Sequence, residues 1–372
     1  MTATPTGQVL TVRGPVDPDA LGPTLSHEHI FIDLRRTHLP YRRWVIRDDR
    51  VVAEHPDEDF PATELLRWES KLDDSNLADA RRLEAITDNY LLADEEVAVR
   101  ELGYFRAAGG GAVMDVTSMG LKRDPLAVRR VSERTGLHVV MGTGWYQRVY
   151  HPDDMHRRSV EDLTEIIVRE ITEGIHDGRQ RTDVRAGIIG EIGINGGPLI
   201  TAERSSMRAA ARASRLTGAP IVIHLGGVGA EKHATLDIVE SEGVDLGRVV
   251  LGHSDSIATD LPFITGLLQR GILVAFDTLG IDPSIEDPSM AWEVAATIPR
   301  LLDAGFEDRI VLSQDICWKT ALRAYGGPGY AWILEHFLPR LRADGIPESA
   351  IDSFMVRNPA RLLTFGEPGC GP

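Results

Sequence analysis

The sequence of 372 residues lacks several features that mark other classes of protein. Its two cysteines, Cys317 and Cys370, are too few for a disulfide framework. Residues 1–7 contain neither a basic segment nor an apolar run, so the sequence predicts no signal peptide. No apolar stretch approaches the length that is needed to cross a bilayer. We therefore expect a cytoplasmic protein.

Positive charge is also scarce. The chain has 40 lysines and arginines against 56 aspartates and glutamates, which gives a formal net charge of −16. Nucleic acids and anionic membranes attract basic surfaces, so neither kind of partner is expected. Hydrophobic residues make up 42% of the chain, which at this length is enough for a sizeable core. The partner that we expect is a small-molecule substrate.

Short apolar segments alternate with helical segments along most of the chain. The apolar segments are residues 24–29, 112–116, 137–144, 186–192, 220–224, 249–253, 272–277 and 310–315. They are continuously apolar, as is typical of parallel strands that are buried on both faces. Eight such βα units predict an α/β fold of the (β/α)8 TIM barrel type. A doubly wound open sheet is the alternative, but no Gly-rich phosphate loop opens any of the helices.

The least regular part of the sequence is roughly residues 33–93, which we interpret as an insertion after the first strand of a single barrel domain that spans residues 1–372. It is rich in charge and is predicted to contain short helices at 63–70 and 77–87. It either covers one end of the barrel or meets a partner subunit, and a homodimer is the assembly we expect. The alternative is a solvated excursion.

Metal-binding side chains stand at the ends of several predicted strands, where the functional residues of such barrels lie. His27 and His29 are two residues apart, so a strand presents both imidazoles on one face. Four more candidates end the fourth, fifth, sixth and eighth strands: Glu191, His224, His253 and Asp315. A single strand-end histidine is more commonly a hydrogen-bonded structural residue. Six convergent residues are hard to explain by packing, and imidazoles with carboxylates suit zinc, manganese, cobalt or iron.

Several motifs resemble the phosphotriesterase family of the amidohydrolase superfamily, and especially its phosphotriesterase-homology branch. They are SHEH at 26–29, GGGAVMDVT at 109–117, GTGWY at 142–146, GEIG at 190–193, GHSD at 252–255, LSQD at 312–315, YGGPGY at 325–330 and NPAR at 358–361. The likeness extends from about residue 8 to 365. It implies a binuclear metal centre at the C-terminal end of the barrel strands.

The resemblance also implies how the two divalent metal ions are held, with zinc as the first choice and manganese, cobalt or iron as alternatives. One metal takes His27, His29 and Asp315, and the other takes His224 and His253. Glu191 bridges them, where family phosphotriesterases use a carboxylated lysine. The alternative for this glutamate is a structural ion pair with an arginine, such as Arg185 or Arg204.

In activity, the resemblance implies a hydrolase whose metal-bridging hydroxide attacks a carbonyl carbon while Asp315 accepts the proton. Thr278 follows Asp277 where phosphotriesterases carry a histidine and related lactonases an arginine, and Ser256 stands near the position of the proton-relay partner. We therefore expect a lactone, carboxylic ester or N-acyl amide as substrate. Phosphotriester hydrolysis and a non-catalytic metal- or ligand-binding barrel are the alternatives.

Three residues are predicted to contact the substrate. Tyr146 stands where family lactonases place a tyrosine near the leaving group, and its alternative role is packing below the loop. Trp318 and Lys319 closely follow the eighth strand and are expected to line the pocket.

Overall fold

The computed structural model describes residues 4–39, 42–54, 60–82, 86–195, 199–225, 229, 231–280 and 290–369. Within these residues, eight parallel strands form one sheet. We number them β1–β8: Thr24–Glu28, Ala112–Asp115, His138–Thr143, Ile188–Ile194, Ile221–Leu225, Val249–Leu251, Leu273–Phe276 and Ile310–Leu312. Every residue of these strands is buried except the first residue of β3, as the continuous apolar runs predicted.

Each strand pairs with its neighbour in the chain, so the sheet runs in order from β1 to β8. The first and last strands meet through contacts beyond the ladder. The backbone N–H of Asp315 donates to the carbonyl of His27 (3.1 Å), and the Tyr330 hydroxyl donates to the carbonyl of His29 (2.8 Å). The sheet is thus nearly closed, and the predicted (β/α)8 barrel is confirmed.

A helix follows each barrel strand on the outside of the sheet. These helices, α1–α8, are Glu95–Ala107, Pro125–Thr135, Val160–Thr172, Thr201–Thr217, Glu231–Ser241, Leu261–Leu268, Met290–Asp303 and Leu338–Ala343. Local chemistry sets several ends. The Asp124 carboxylate caps α2 by accepting from the N–H of Ala127, and Gly136 ends that helix in the left-handed conformation.

The segment that precedes α8 is irregular. A π-helical turn, Ile333–Phe337, precedes α8. The helical tail follows as Glu348–Asp352, the π-helical turn Ser353–Arg357 and Asn358–Leu363. None of the described helices has both the length and the apolar character needed to cross a bilayer.

The hydrophobic core has two layers. One lies inside the barrel and includes Met114, Val140, Ile188, Val222 and Val250. The second lies between the sheet and the surrounding helices. An N-terminal hairpin of Val9–Thr11 and Gly14–Val16 joins the inner layer together with Asn358–Leu363. The polar strand ends are therefore left at the opposite, C-terminal mouth.

The region predicted as an insertion begins and ends in one short antiparallel pair, Ile32–Asp33 with Leu91–Leu92. It contains helices Ala62–Trp68 and Leu77–Ala80, so the predicted helix at 77–87 is much shorter than expected. Residues 83–85 of that prediction lie outside the described part of the chain.

A hairpin in this region was missed. Arg43–Arg47 pairs antiparallel with Arg50–Glu54. Asp48 and Asp49 connect the two strands, and both have positive φ, of 50° and 61°. Such a turn needs left-handed residues at both central positions, and aspartate tolerates that conformation.

Candidate metal centre

The first part of the site joins the first and last strands of the barrel. His27 of β1 and His29, the residue after that strand, have buried imidazoles whose ring centroids are 5.7 Å apart. Asp315 follows β8 closely. Its Oδ1 lies 3.2 Å from Nε2 of His29 and 3.7 Å from Nε2 of His27. These three side chains therefore form one group of metal-binding atoms.

The second part comes from β5 and from the second residue after β6. Nδ1 of His224 and Nε2 of His253 are 2.7 Å apart. The imidazole rings are nearly perpendicular, with centroids at 4.5 Å. His224 is the penultimate residue of β5, and His253 lies two residues beyond β6, so both stand at the strand ends that the sequence predicted.

Glu191 lies between the two parts. Its Oε2 is 2.9 Å from Nδ1 of His224 and 3.3 Å from Nε2 of His27, while its Oε1 is 3.4 Å from Nε2 of His29. The alternative partners Arg185 and Arg204 make no ion pair with it in the described part of the chain. One carboxylate thus contacts both groups.

The spacing of these six side chains suits bound metal. Donor atoms held at about 2.1 Å by one tetrahedral ion lie about 3.4 Å from one another. The contacts above range from 2.7 to 3.7 Å. In addition, Nε2 of His27 is fully buried, and no described residue makes a well-aligned hydrogen bond with it, although Oε2 of Glu191 lies 3.3 Å away. Because buried polar atoms normally have partners, this nitrogen fits a ligand role.

The charged side chains of the cluster shift one another's pKa. Burial lowers the pKa of the His27 imidazole, but the carboxylates of Asp277 and Glu191 outweigh it and raise that pKa well above its usual value. Burial raises the pKa of Glu191, but His224 and His27 hold it well below its usual range. Metal ions compete with protons for such imidazole nitrogens, so metal affinity should depend on pH.

Sequence reasoning missed the residues that orient the imidazoles. Asp277, which follows β7, contacts Nδ1 of His27 with Oδ2 (2.8 Å) and Nδ1 of His253 with Oδ1 (3.0 Å). It is fully buried. Asp277 was considered only as the neighbour of Thr278, although its place at a strand end was a usable signal. Carboxylates that contact the second nitrogen of a ligating histidine fix its tautomer and orientation.

Two neutral side chains play the same part. The Thr117 hydroxyl lies 2.9 Å from Nδ1 of His29, and Nε2 of Gln147 lies 2.7 Å from Nε2 of His224. Both residues come from loops after β2 and β3. No periodicity or spacing in the sequence marks either residue.

Two residues of the cluster have unusual backbone geometry. Asp315 and His253 have φ of 50° and 52°, in the left-handed region that residues other than glycine rarely occupy. Asp315 lies three residues beyond β8, and His253 lies two residues beyond β6. Such conformations persist where surrounding contacts enforce them and are concentrated at functional sites.

The structure separates the three residues predicted to contact substrate. The Tyr146 hydroxyl lies 3.4 Å from Nε2 of His224, and burial raises its pKa well above the usual value. Trp318 packs edge-on against Tyr90 with centroids 6.5 Å apart. The ammonium of Lys319 lies 2.7 Å from the Asp88 carboxylate, so it points to the region predicted as an insertion. Tyr146 alone of the three has a described contact with the cluster.

Comparison with known proteins agrees with the motifs. The model of the phosphotriesterase family matches residues 7–363. An N-acetyltaurine hydrolase from Tetraodon nigroviridis is 34% identical over 96% of this chain and 98% of its own.

Solved structures show the same architecture. A resiniferatoxin-binding protein from Rhodobacter sphaeroides superposes with a TM-score of 0.86 at 37% identity, covering 98% of both chains. A lactonase from Listeria monocytogenes has a TM-score of 0.75 at 26% identity, covering 97% of this chain and 100% of its own. The family match spans nearly the whole chain, which therefore belongs to the phosphotriesterase family.

Proposed function

We propose that this protein is a metal-dependent hydrolase of a small carbonyl compound, either an N-acyl amide or a lactone or carboxylic ester. The observation that carries the proposal is the convergence of four histidines and two carboxylates at the C-terminal mouth of the barrel. The similar proteins include a hydrolase of the amide N-acetyltaurine and a lactonase, which act on these two kinds of bond.

The metal ligands follow from the two groups of side chains. One divalent metal would be held by His27, His29 and Asp315, and the second by His224 and His253. Glu191 would serve both, since its Oε1 faces His29 and its Oε2 faces His224. Zinc suits this set of imidazoles and carboxylates best, and manganese, cobalt and iron accept the same donors.

Asp315 is the proton carrier of the site. When bound, two such metals supply a water of lowered pKa and polarise a carbonyl group. The side chain of Asp315 is 15% exposed, whereas that of Glu191 is 2% exposed. Asp315 therefore reaches the open mouth, where it accepts a proton from the attacking water and delivers it to the leaving amine or alcohol.

Tyr146, Trp318 and Lys319 are proposed to bind the substrate. The raised pKa of Tyr146 keeps its phenol protonated at neutral pH, so it can donate a hydrogen bond beside His224. Nε1 of Trp318 is buried without a hydrogen-bond partner among the described residues and is a further donor. Lys319 binds an anionic end of a substrate only if its ion pair with Asp88 opens. N-acetyltaurine carries such an anionic end.

A steady-state screen of the metal-loaded protein tests this proposal. It compares N-acyl amides that include N-acetyltaurine, lactones, aryl esters and phosphotriesters of the paraoxon type. A carbonyl substrate should have the highest kcat/KM, because Thr278 and Ser256 replace the relay groups of the phosphotriesterases. A phosphotriester in first place would reverse this order. Absence of any turnover would favour the ligand-binding alternative. The Rhodobacter sphaeroides relative, a resiniferatoxin-binding protein, supports that alternative.

We also propose one domain over residues 1–372 with an insertion at about 33–93, and a homodimer in the cytoplasm. Light scattering on the purified protein tests the assembly, because one chain has a mass of 40.9 kDa. A monomer at all concentrations would contradict the dimer.

A further inference from the structure

The middle residue of the His-Glu-His motif has no part in the metal cluster, yet it is fully buried. Oε1 of Glu28 accepts hydrogen bonds from the Ser313 hydroxyl (2.7 Å) and the N–H of Gln314 (2.9 Å). Oε2 accepts from the N–H of Ile316 (2.9 Å). Three donors from the segment after β8 thus converge on one carboxylate of β1.

These bonds lie where the barrel closes. β1 and β8 share no ladder pairing within the described residues. Besides the Glu28 carboxylate, the seam is joined by the N–H of His27, which donates to the Ser313 hydroxyl (2.9 Å), and by the N–H of Asp315, which donates to the carbonyl of His27. The Glu28 carboxylate therefore supplies several of the hydrogen bonds that join β1 to the segment after β8, where ladder pairing joins the other strands.

Glu28 itself is not placed to bind a metal or move a proton. Its carboxylate faces the segment after β8, whereas the imidazoles of His27 and His29 face Glu191 and Asp315. Both of its oxygens already accept hydrogen bonds. Its effect on the site must act through the residues that it holds.

The residue enclosed by those donors is Asp315. Ser313 and Gln314 precede it and Ile316 follows it, so the segment is fixed on both sides. Asp315 has φ of 50°, a conformation that persists only where its surroundings enforce it. That conformation directs its carboxylate toward His29 at 3.2 Å.

We propose that Glu28 is a positioning residue that holds Asp315 in its left-handed conformation and so sets the distance from its carboxylate to the imidazoles of β1. The meaning of this for catalysis rests on the proposed function, in which Asp315 binds metal and carries a proton. We call the hydrogen bonds of Glu28 with Ser313, Gln314 and Ile316 the clamp. These hydrogen bonds do not depend on the proposed function.

Glu101 of α1 offers a matched control. It is fully buried, and its carboxylate accepts hydrogen bonds from the N–H groups of Arg323 (3.0 Å) and Ala324 (2.8 Å). It therefore anchors the same connection after β8 with the same chemistry, but eight residues beyond Asp315. Loss of that anchor should affect stability without moving the proposed ligand.

The experiment compares Glu28→Gln with Glu101→Gln. A glutamine at 28 must turn its amide NH2 toward a backbone N–H, which leaves that buried donor unpaired. Hydrogen exchange of a peptide covering 313–316 is measured in the metal-free protein, and metal release to a chelator, kcat and KM are measured in the loaded protein.

For Glu28→Gln we expect exchange at 313–316 to accelerate by about tenfold or more. Metal release should accelerate by about 10- to 100-fold, and kcat should fall by a similar factor. These are the usual effects of losing a residue that orients a metal ligand. KM should stay within about twofold, because Asp315 acts on the proton rather than on substrate affinity. Glu101→Gln should accelerate exchange only near 323–324 and keep the wild-type kcat and metal release.

Wild-type exchange at 313–316 in Glu28→Gln would overturn the proposal, as would wild-type metal release and kcat. Equal losses in Glu101→Gln would show general destabilisation instead. If Glu28→Gln does not fold, Ser313→Ala removes one of the three donors and should give smaller changes of the same kind in the same peptide. If the wild type binds no metal while exchange still rises in Glu28→Gln, the proposed function fails and the clamp stands.

Discussion

Asp315 combines three properties at the residue scale: a left-handed backbone, a contact with His29 and partial exposure to the barrel mouth. Asp315→Asn should lower kcat by a factor on the order of 10²–10⁴, the usual effect of losing a positioned acid or base. Circular dichroism should show a preserved fold. Asp344→Asn is the control, because Asp344 is an exposed partner of Arg340 on α8. Turnover near wild type in Asp315→Asn would exclude the proposed proton transfer.

Glu191 supplies both oxygens to the cluster, and a bridging group needs two acceptors. Glu191→Gln replaces one acceptor by a donor and should lose at least one metal and most activity. Bicarbonate should have no effect on the wild type, because no lysine has to be carboxylated. Metal analysis and turnover with and without bicarbonate check both points. Two retained metals with full turnover would show that Glu191 is not the bridge.

Lys232 provides a test through pH. Its ammonium donates to the carbonyl of Leu225 (2.7 Å), and burial lowers its pKa from 10.5 to about 8. Between these values the unfolded chain binds more protons than the folded one, so the free energy of unfolding rises with pH. From pH 8 to 10 the wild type should gain about 2 kcal/mol relative to Lys232→Met.

Urea unfolding of both metal-loaded proteins at several pH values measures this gain. Taking the difference between the two proteins cancels the titration of the groups they share. A constant difference from pH 8 to 10 would mean that Lys232 keeps an ordinary pKa in the folded protein.

At the scale of elements, β7 supports ligands on two other strands. Asp277 contacts His27 of β1 and His253 after β6, whereas Thr117, among the described residues, contacts a single histidine of the cluster, His29. Asp277→Asn should therefore lower the affinity for both metals by about 10- to 100-fold. Thr117→Val should loosen mainly the metal held by His29. Titration with a chelator separates the two patterns, and unequal loss of the two metals in Asp277→Asn would contradict this role.

The strands of the barrel were predictable from the sequence because continuous apolar runs identify buried parallel strands. The polar residues at or near the ends of five of these runs located the cluster, including Glu191 and Asp315. Repeated βα units then defined the ring without any tertiary information. Pattern was sufficient wherever a strand is buried on both faces.

The remaining elements depend on contacts that one sequence does not display. The hairpin of Arg43–Arg47 and Arg50–Glu54 is partly exposed, and its turn uses two aspartates in place of the common Asn-Gly signal. Gln147 and Thr117 reach the histidines from loops, where no periodicity applies. The role of Glu28 requires knowing that β8 lies beside β1.

At the scale of the whole molecule, the fold creates the site. The barrel brings the ends of strands that are far apart in the chain to one mouth, and the cluster spans residues 27–315. A hydrolase of the phosphotriesterase family needs this convergence, because no single element holds enough ligands. The net charge of −16 does not favour binding to nucleic acids or anionic membranes, which attract basic surfaces.

In the proposed function six side chains hold two metals, and the metal content of the purified protein is the decisive measurement. The protein is grown with zinc or manganese, freed of loose metal, and analysed by elemental analysis together with turnover. Close to two equivalents per chain should be found, with activity lost on chelation and restored on reloading. A stable, fully active protein with one metal per chain would contradict the account.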